Sequence, residues 1–435
     1  MKPNIIFYFS DQQRWDTLND ELMPNVWSLG ENGMLFENCF TCQPVCGPAR
    51  ACLQTGVYAT QNGCYKNGIS LPENTKTLAD YFNENGYDTA YIGKWHLASD
   101  DAPGKGIHCE KTAIPYEKLG GYKYFRGADV LEFTSHGYDG YVFDEKGNRI
   151  DFEGYRADCI NDFATGYVSS HSGDKPFFMF ISQLEPHHQN DRRHFEGFSE
   201  SIDKYRDYPI PGDLSFLKGD YLQEYPDYLS AINRLDYNVG RLVDALKEKG
   251  IYENTVIVYT SDHGCHFKTR NGEYKRSCHD SSIRVPLVIG GGAVNKGGTV
   301  DRLVSLIDLP PTLLHLAEIA IPEQYSGSAI EEDGEERDCV FLQISESHIG
   351  RAVRTKKWKY SARAIGSGIL KSGAVHYFDD YLYDLENDPC EKRNLVREKQ
   401  HRDVILQMRE LLSREMVKAG ERQPVFHKSI KRSKR

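Results

Sequence analysis

The chain predicts an α/β fold: a large domain with a central, mostly parallel sheet sandwiched by helices, then a small C-terminal domain with an antiparallel sheet and a terminal helix. Three observations carry this. Short apolar runs alternate with helical patterns as far as about residue 325, the mark of βαβ units. Each of the main apolar runs stops in a cluster of polar residues. Beyond that point the pattern changes to short strands with no helices between them.

In order, residues 3–9 are rich in Ile and Phe and fit a strand buried on both faces, ending at Ser10-Asp11-Gln12-Gln13. Residues 24–31 predict a helix. Residues 77–85 predict another, with Leu78, Tyr81 and Phe82 on one face and Gly86 as its stop. Residues 87–92 predict a strand ending in Gly93-Lys94-Trp95-His96, and 100–150, rich in Gly, Tyr and Asp, a long irregular excursion. A helix over 155–168 and a strand over 175–182 follow, ending in Glu185-Pro186-His187-His188. Residues 189–225 read as a surface loop. In 227–249 Leu229, Ile232, Leu235, Val239, Leu242, Val243 and Leu246 keep the 3.6 period, the clearest helix of the chain. Residues 255–260 predict a strand ending in Ser261-Asp262-His263-Gly264, 284–289 another, and 300–317 a strand and then a helix opened by Pro310-Pro311. The acidic stretch 327–337 predicts a linker, which places the domains at 1–325 and 326–435. Short antiparallel strands are expected over 340–344, 352–354, 358–362 and 377–384, and an amphipathic helix over 397–416.

The 435 residues are 39% hydrophobic and 27% charged, the balance of a soluble globular protein. A net charge of −10 argues against a nucleic-acid partner, and the basic run 428–435 reads as a solvated tail. No apolar run is long enough for a membrane span or a signal peptide, so no membrane and a cytoplasmic location are expected unless a leader was removed. The 11 cysteines are an odd, scattered set, consistent with reduced thiols. Cys42 and Cys46 have no second Cys/His pair nearby to make a zinc site.

Residues 46–56, Cys-Gly-Pro-Ala-Arg-Ala-Cys-Leu-Gln-Thr-Gly, read as a helix with Cys46 at its start. Unpaired N–H groups and the helix dipole favour an anion there, and Arg50 lies one turn in. Cys46 is then either a thiol of lowered pKa or a buried structural cysteine. In an open parallel sheet, ligands bind at the carboxyl ends of strands. There the polar clusters would gather Asp11, Gln12, Asp262 and His263, which suit a divalent cation, beside Lys94, Arg50, Lys275 and histidines, which suit an oxyanion. Metal, nucleophile and cationic rim together point to displacement at sulfur or phosphorus.

The pattern Cys46-x-Pro48-x-Arg50 with Leu53-x-Thr55-Gly56 resembles the signature of the formylglycine-dependent type I sulfatases, in the alkaline phosphatase superfamily. The resemblance extends to Asp11-Gln12, Gly93-Lys-Trp-His-Leu97, Pro186-His187, Ser261-Asp-His-Gly264, Lys275, Arg284-Val-Pro286 and Tyr383-Asp-Leu-x-x-Asp388-Pro with Asn394-Leu395. It implies an alkaline phosphatase-like catalytic domain and a sulfuric ester hydrolase. It implies that a maturase oxidises Cys46 to formylglycine (3-oxoalanine), whose hydrated aldehyde attacks the ester in line and then expels sulfate. Asp11, Gln12, Asp262, His263 and residue 46 are implied as holding Ca²⁺, or else Mg²⁺. Arg50 is implied to orient the gem-diol and His96 to act as base in its collapse. Lys94, His187 and Lys275 are implied as sulfate contacts, with His187 or Lys275 protonating the leaving alcohol. Three positions depart from the pattern: Ala49 where Ser is common, Gln12 where many members carry Asp, and His279-Asp280 where Tyr-Glu is frequent. The substrate expected is a small sulfated mono- or oligosaccharide cut in exo fashion, with Glu346, His348 and Arg351 as rim contacts. A phosphonate monoester or phosphodiester hydrolase on the same scaffold is the alternative, and a homo-oligomer is left open.

Overall fold

A computed structural model describes residues 2–101, 106–294, 297–330, 336–366 and 368–429. Part of the expected linker (331–335) and most of the basic tail (430–435) lie outside the described residues. The fold is α/β, with one large sheet between helices and a second, smaller sheet with a helix near the C-terminus.

Five parallel strands form the middle of the large sheet, in the order Thr255–Ser261, Asn4–Ser10, Phe177–Ser182, Asp88–Lys94, Tyr124–Ala128. Asn4–Ser10 is buried at every residue because its alternating side chains feed two cores. Ile6 and Tyr8 face the helices Arg156–Ser170 and Tyr221–Glu248. Ile5, Phe7 and Phe9 face the helices Cys46–Thr55, Leu78–Glu84 and Leu309–Leu316. The registers bring the carboxyl ends of these strands level: Ser10 pairs with Ser261, Phe9 with Ser182, and Gly93 with Ser182. Gly93 is required at its position, since a Cβ there would lie 1.9 Å from the Ser182 carbonyl oxygen.

The sheet is less purely parallel than the sequence pattern suggests. Pro286 splits the expected strand 284–289 into Arg284–Val285 and Leu287–Gly290, both antiparallel to Met34–Phe40. That last strand went unread because its sequence MLFENCF breaks the apolar run at Glu37 and Asn38. The excursion 100–150 contains the parallel strand Tyr124–Ala128 and the hairpin Asp139–Asp144 with Arg149–Glu153. The long helix begins at Tyr221, six residues earlier than the sequence pattern indicated, and carries Pro226 inside it.

The second sheet runs Val340–Ile344, Gly350–Arg354, Trp358–Ala364, His376–Asp384, antiparallel throughout, with Val425–His427 added in parallel at the edge. Helix Arg402–Lys418 packs on it through Ile405, Met408, Leu412 and Met416. A buried ion cluster ties the second sheet to the helical turn Asp280–Ile283 that leads into Arg284–Val285. Lys359, fully buried, pairs with Asp280 and with Glu391 at 2.6 Å, and the Asp280 N–H donates to Glu391 Oε2 at 2.8 Å.

Candidate active site

Helix Cys46–Thr55 starts where the sequence places it, and all ten of its residues are buried. Val45 gives its start no side-chain cap; instead the Gly47 N–H donates to Asn67 Oδ1 at 2.9 Å. Gly56, in the left-handed conformation, ends the helix. Cys46 therefore points its sulfur from a helix start toward the level ends of the central strands.

Four ligand-bearing side chains converge there: Asp11, Cys46, Asp262 and His263, whose donor atoms lie within 4.8 Å of one another. The Cys46 Sγ is 3.2 Å from His263 Nε2 and 3.5 Å from Asp11 Oδ1. Asp262 Oδ1 accepts the backbone N–H groups of Gln12 and His263, each at 2.9 Å. His263 Nδ1 lies 2.9 Å from Gly264 O, so its proton is fixed there and Nε2 turns its lone pair to the cluster. Gln12 reaches the cluster through its backbone, in a left-handed conformation, while its side-chain nitrogen lies 3.6 Å from Cys265 Sγ.

The donor set fits a divalent cation on an observation of its own. Asp262 Oδ2 is buried and has no hydrogen-bond partner. Burial and then the neighbouring Asp11 push the Asp262 carboxyl up to about 7. Among the described residues Asp262 Oδ2 has only the Arg50 guanidinium, at 3.7 Å, to face its charge, and two carboxylates beside an imidazole are what a hard cation relieves.

Around the cluster stands a ring of cations. Asp11 Oδ2 takes Lys94 Nζ at 2.7 Å and Arg50 at 3.0 Å. Burial and Cys46 raise the Asp11 carboxyl, but Lys94, His187 and Arg50 outweigh them and hold it well below the usual carboxylate range. Arg50 is fixed further by Lys94 O at 2.9 Å and Ser182 Oγ at 2.6 Å. Lys275 Nζ is 2.7 Å from Cys46 Sγ and 3.2 Å from His187 Nε2. Burial opposes ionisation of the Cys46 thiol, yet Lys275 and Lys94 draw its pKa well below the ordinary value. Burial and then Lys275 lower the His187 pKa.

His96 follows the strand Asp88–Lys94 in a left-handed conformation, its N–H held by Asp129 O at 2.7 Å and its Nδ1 buried without a partner. A side chain at Gly47 would meet His96 O at 3.4 Å, which puts His96 beside the helix start. Three supporting residues escaped the sequence reading. Glu132 Oε2 lies 3.3 Å from His187 Nδ1, Ser182 braces Arg50, and Asn67 caps the helix. None carries a motif; only the fold brings them in.

The expected rim residues divide. Arg351 is a correction: it is 1% exposed and spends its guanidinium on Glu421 at 2.7 Å and on the carbonyls of Ser372 and Gly350. It braces the second sheet and offers no open face. His348 is half-buried, with Nδ1 3.0 Å from Ser347 Oγ. Glu346 reaches Asn67 and Arg276.

A buried helix start carrying Cys46, set between an acidic cluster and a ring of cations, has the make-up of an ester hydrolase site. The sulfatase family model matches residues 3–319, and a second one, N-sulphoglucosamine sulphohydrolase, C-terminal, matches 272–418. The chain belongs to the sulfatase family. It is 31% identical to the sulfatase YidJ of Escherichia coli K12, over 94% of this chain and 86% of that one. It is 25% identical to an N-acetylglucosamine-6-O-sulfatase of Bacteroides thetaiotaomicron, over 91% and 82%. Its fold matches that of BT4656 in complex with its substrate D-glucosamine-2-N,6-O-disulfate, with a TM-score of 0.81 at 22% identity, covering 98% and 99% of the two chains. Among the described residues no helix is long and apolar enough to cross a membrane.

Proposed function

We propose that this sulfatase releases sulfate from a small sulfated mono- or oligosaccharide by exo attack, using residue 46 as nucleophile after oxidation of Cys46 to formylglycine. The observation that carries the reading is the position of Cys46, with Lys275 Nζ at 2.7 Å and His263 Nε2 at 3.2 Å, at a buried helix start. A sugar substrate is supported by relatives that act on glucosamine derivatives.

Asp11, Asp262, His263 and residue 46, with Gln12, would hold a divalent cation, Ca²⁺ or Mg²⁺. When bound it neutralises the paired carboxylates and draws charge from the sulfate oxygens. The remaining work falls to the chain's own side chains. Lys94 and Lys275 present fixed ammonium groups to the sulfate, in a site dry enough for those charges to act strongly. Arg50 cannot wander, being held by three acceptors, and so fixes Asp11 and the floor under residue 46. Lys275 or His187, 3.2 Å apart, delivers the proton that the departing sugar oxygen needs. His96, beside the helix start with an unpartnered ring nitrogen, takes the proton released when the site resets. We place the catalytic domain at 1–325 and a C-terminal subdomain at 326–435.

A mass spectrum of the peptide carrying residue 46, after expression with a formylglycine-generating maturase, tests the nucleophile directly. Parallel turnover of sulfated monosaccharides and of phosphonate monoesters tests the substrate. An intact thiol in protein that still turns over, or preference for the phosphonate, refutes the reading.

A further inference from the structure

We propose that Glu346 is a positioning residue through which the second sheet sets both the nucleophile helix and Lys275. The turn 345–347 leaves the strand Val340–Ile344 and lies against the segment that leads into Cys46. Gln343 N–H donates to Cys42 O at 2.9 Å, and Gln43 Nε2 donates to Ser345 Oγ at 2.7 Å. Glu346 then uses both carboxylate oxygens. Oε1 accepts the Asn67 N–H at 2.7 Å, and the Asn67 side-chain oxygen accepts the Gly47 N–H, one residue past Cys46. Oε2 pairs with Arg276 at 2.5 Å, and Arg276 is the neighbour of Lys275.

The grip on Arg276 is multiple. Ser347 Oγ donates to Arg276 O at 2.8 Å, and the Arg276 N–H donates to Pro44 O at 3.3 Å. Both ends of the ion pair sit in left-handed backbone, with φ of 61° at Glu346 and 68° at Arg276. Neither residue adopts that conformation without cost, and such outliers persist where the surroundings over-determine them. Arg276 held on both sides fixes the loop from which Lys275 reaches residue 46. Asn67 held by Glu346 fixes the helix start that presents it. Both Glu346 oxygens are thus engaged within the protein, which assigns the residue to positioning rather than to the sugar.

The kinetic arm of the test rests on the hydrolase reading above; the structural arm does not. Glu346→Gln, Glu346→Ala and Ser347→Ala are compared with wild type on three sulfate esters: an acidic phenol, a small alkyl alcohol and a sugar. A misplaced Lys275 and helix start lower kcat on the alkyl sulfate by about 10- to 100-fold. The loss is smaller on the phenol sulfate, whose leaving group needs no proton, while KM stays within about twofold. The crystal structure of Glu346→Ala shows Lys275 Nζ and Gly47 displaced from their wild-type positions around residue 46. A rise in KM for the sugar sulfate alone, with alkyl sulfate turnover intact, overturns the proposal in favour of a sugar contact. So does a Lys275 that has not moved. If Glu346→Gln does not fold, Ser347→Ala must give the same leaving-group pattern, and its failure to do so also overturns the proposal. Wild-type protein inert toward every sulfate ester refutes the hydrolase reading, and the crystallographic displacement still decides the role of Glu346.

Discussion

Replacing Asp262 with asparagine stabilises the cation-free protein and removes most of the stability that a cation adds. The Asp262 carboxyl rises from 3.8 to about 7, set first by burial and then by Asp11. At 1.36 kcal/mol per unit that is a cost of about 4 kcal/mol. A folded-state pKa above the unfolded one means that ionisation opposes folding. On this account the cation-free protein loses stability as pH rises from 3.8 toward 7 and carries the whole cost above that. Coulomb's law gives a similar size: two unit charges within 4.8 Å of one another repel by about 3 kcal/mol or more at an effective dielectric near 20. The replacement amide keeps an oxygen to accept from the Gln12 and His263 N–H groups. For 435 residues the unfolding entropy is roughly 0.9 kcal/mol/K, so 4 kcal/mol corresponds to about 4 °C. Scanning calorimetry at pH 8 in EDTA should therefore find Asp262→Asn melting about 4 °C above wild type. In Ca²⁺ at about 100 times its Kd the wild type should gain about 3 °C and the variant little. A variant that gains as much as wild type, or that melts below wild type in EDTA, refutes this account of the acidic cluster.

Three further outcomes follow from the geometry. Cys46→Ala abolishes sulfate release while the far-UV circular dichroism of the folded protein is kept; residual turnover in a purified preparation counts against residue 46 as nucleophile. Lys275→Met lowers kcat on an alkyl sulfate by about 100-fold or more and on a phenol sulfate by less, read from the dependence of rate on leaving-group acidity. Burial raises the Asp280 carboxyl, but Lys359 and Arg354 hold it down to about 2, so its stabilising effect is complete above 3.8 and lost as pH falls toward 2. Asp280→Asn costs about 3 kcal/mol at neutral pH by leaving Lys359 short of a partner, and it flattens the acid limb of the urea-denaturation profile.

The large sheet was legible because its middle strands are buried on both faces and stand out as apolar runs. Asp11, Lys94 and Asp262 were legible because each sits at or just past the end of such a run, and strand register does the rest. What the sequence concealed lies where tertiary contacts override local pattern. Met34–Phe40 is a strand despite Glu37 and Asn38, because it pairs on both sides. Pro226 lies inside a helix that a local reading starts after it. Asn67 and Glu132 act across the fold, with no local sequence signal. Asp280 departs from the family pattern, yet it turns out to anchor the second sheet through Lys359.

The burial of Cys46–Thr55 along its whole length fixes an order of events in time. Once the helix is walled in, no second enzyme can reach the side chain of residue 46. Any catalysed oxidation of that cysteine must therefore come before folding is complete. The topology holds that interval open: the strand Thr255–Ser261, which closes one flank of Asn4–Ser10, lies far downstream in the chain. A nascent chain thus exposes residue 46 long before it can bury it. A chain that folds first keeps its thiol for good.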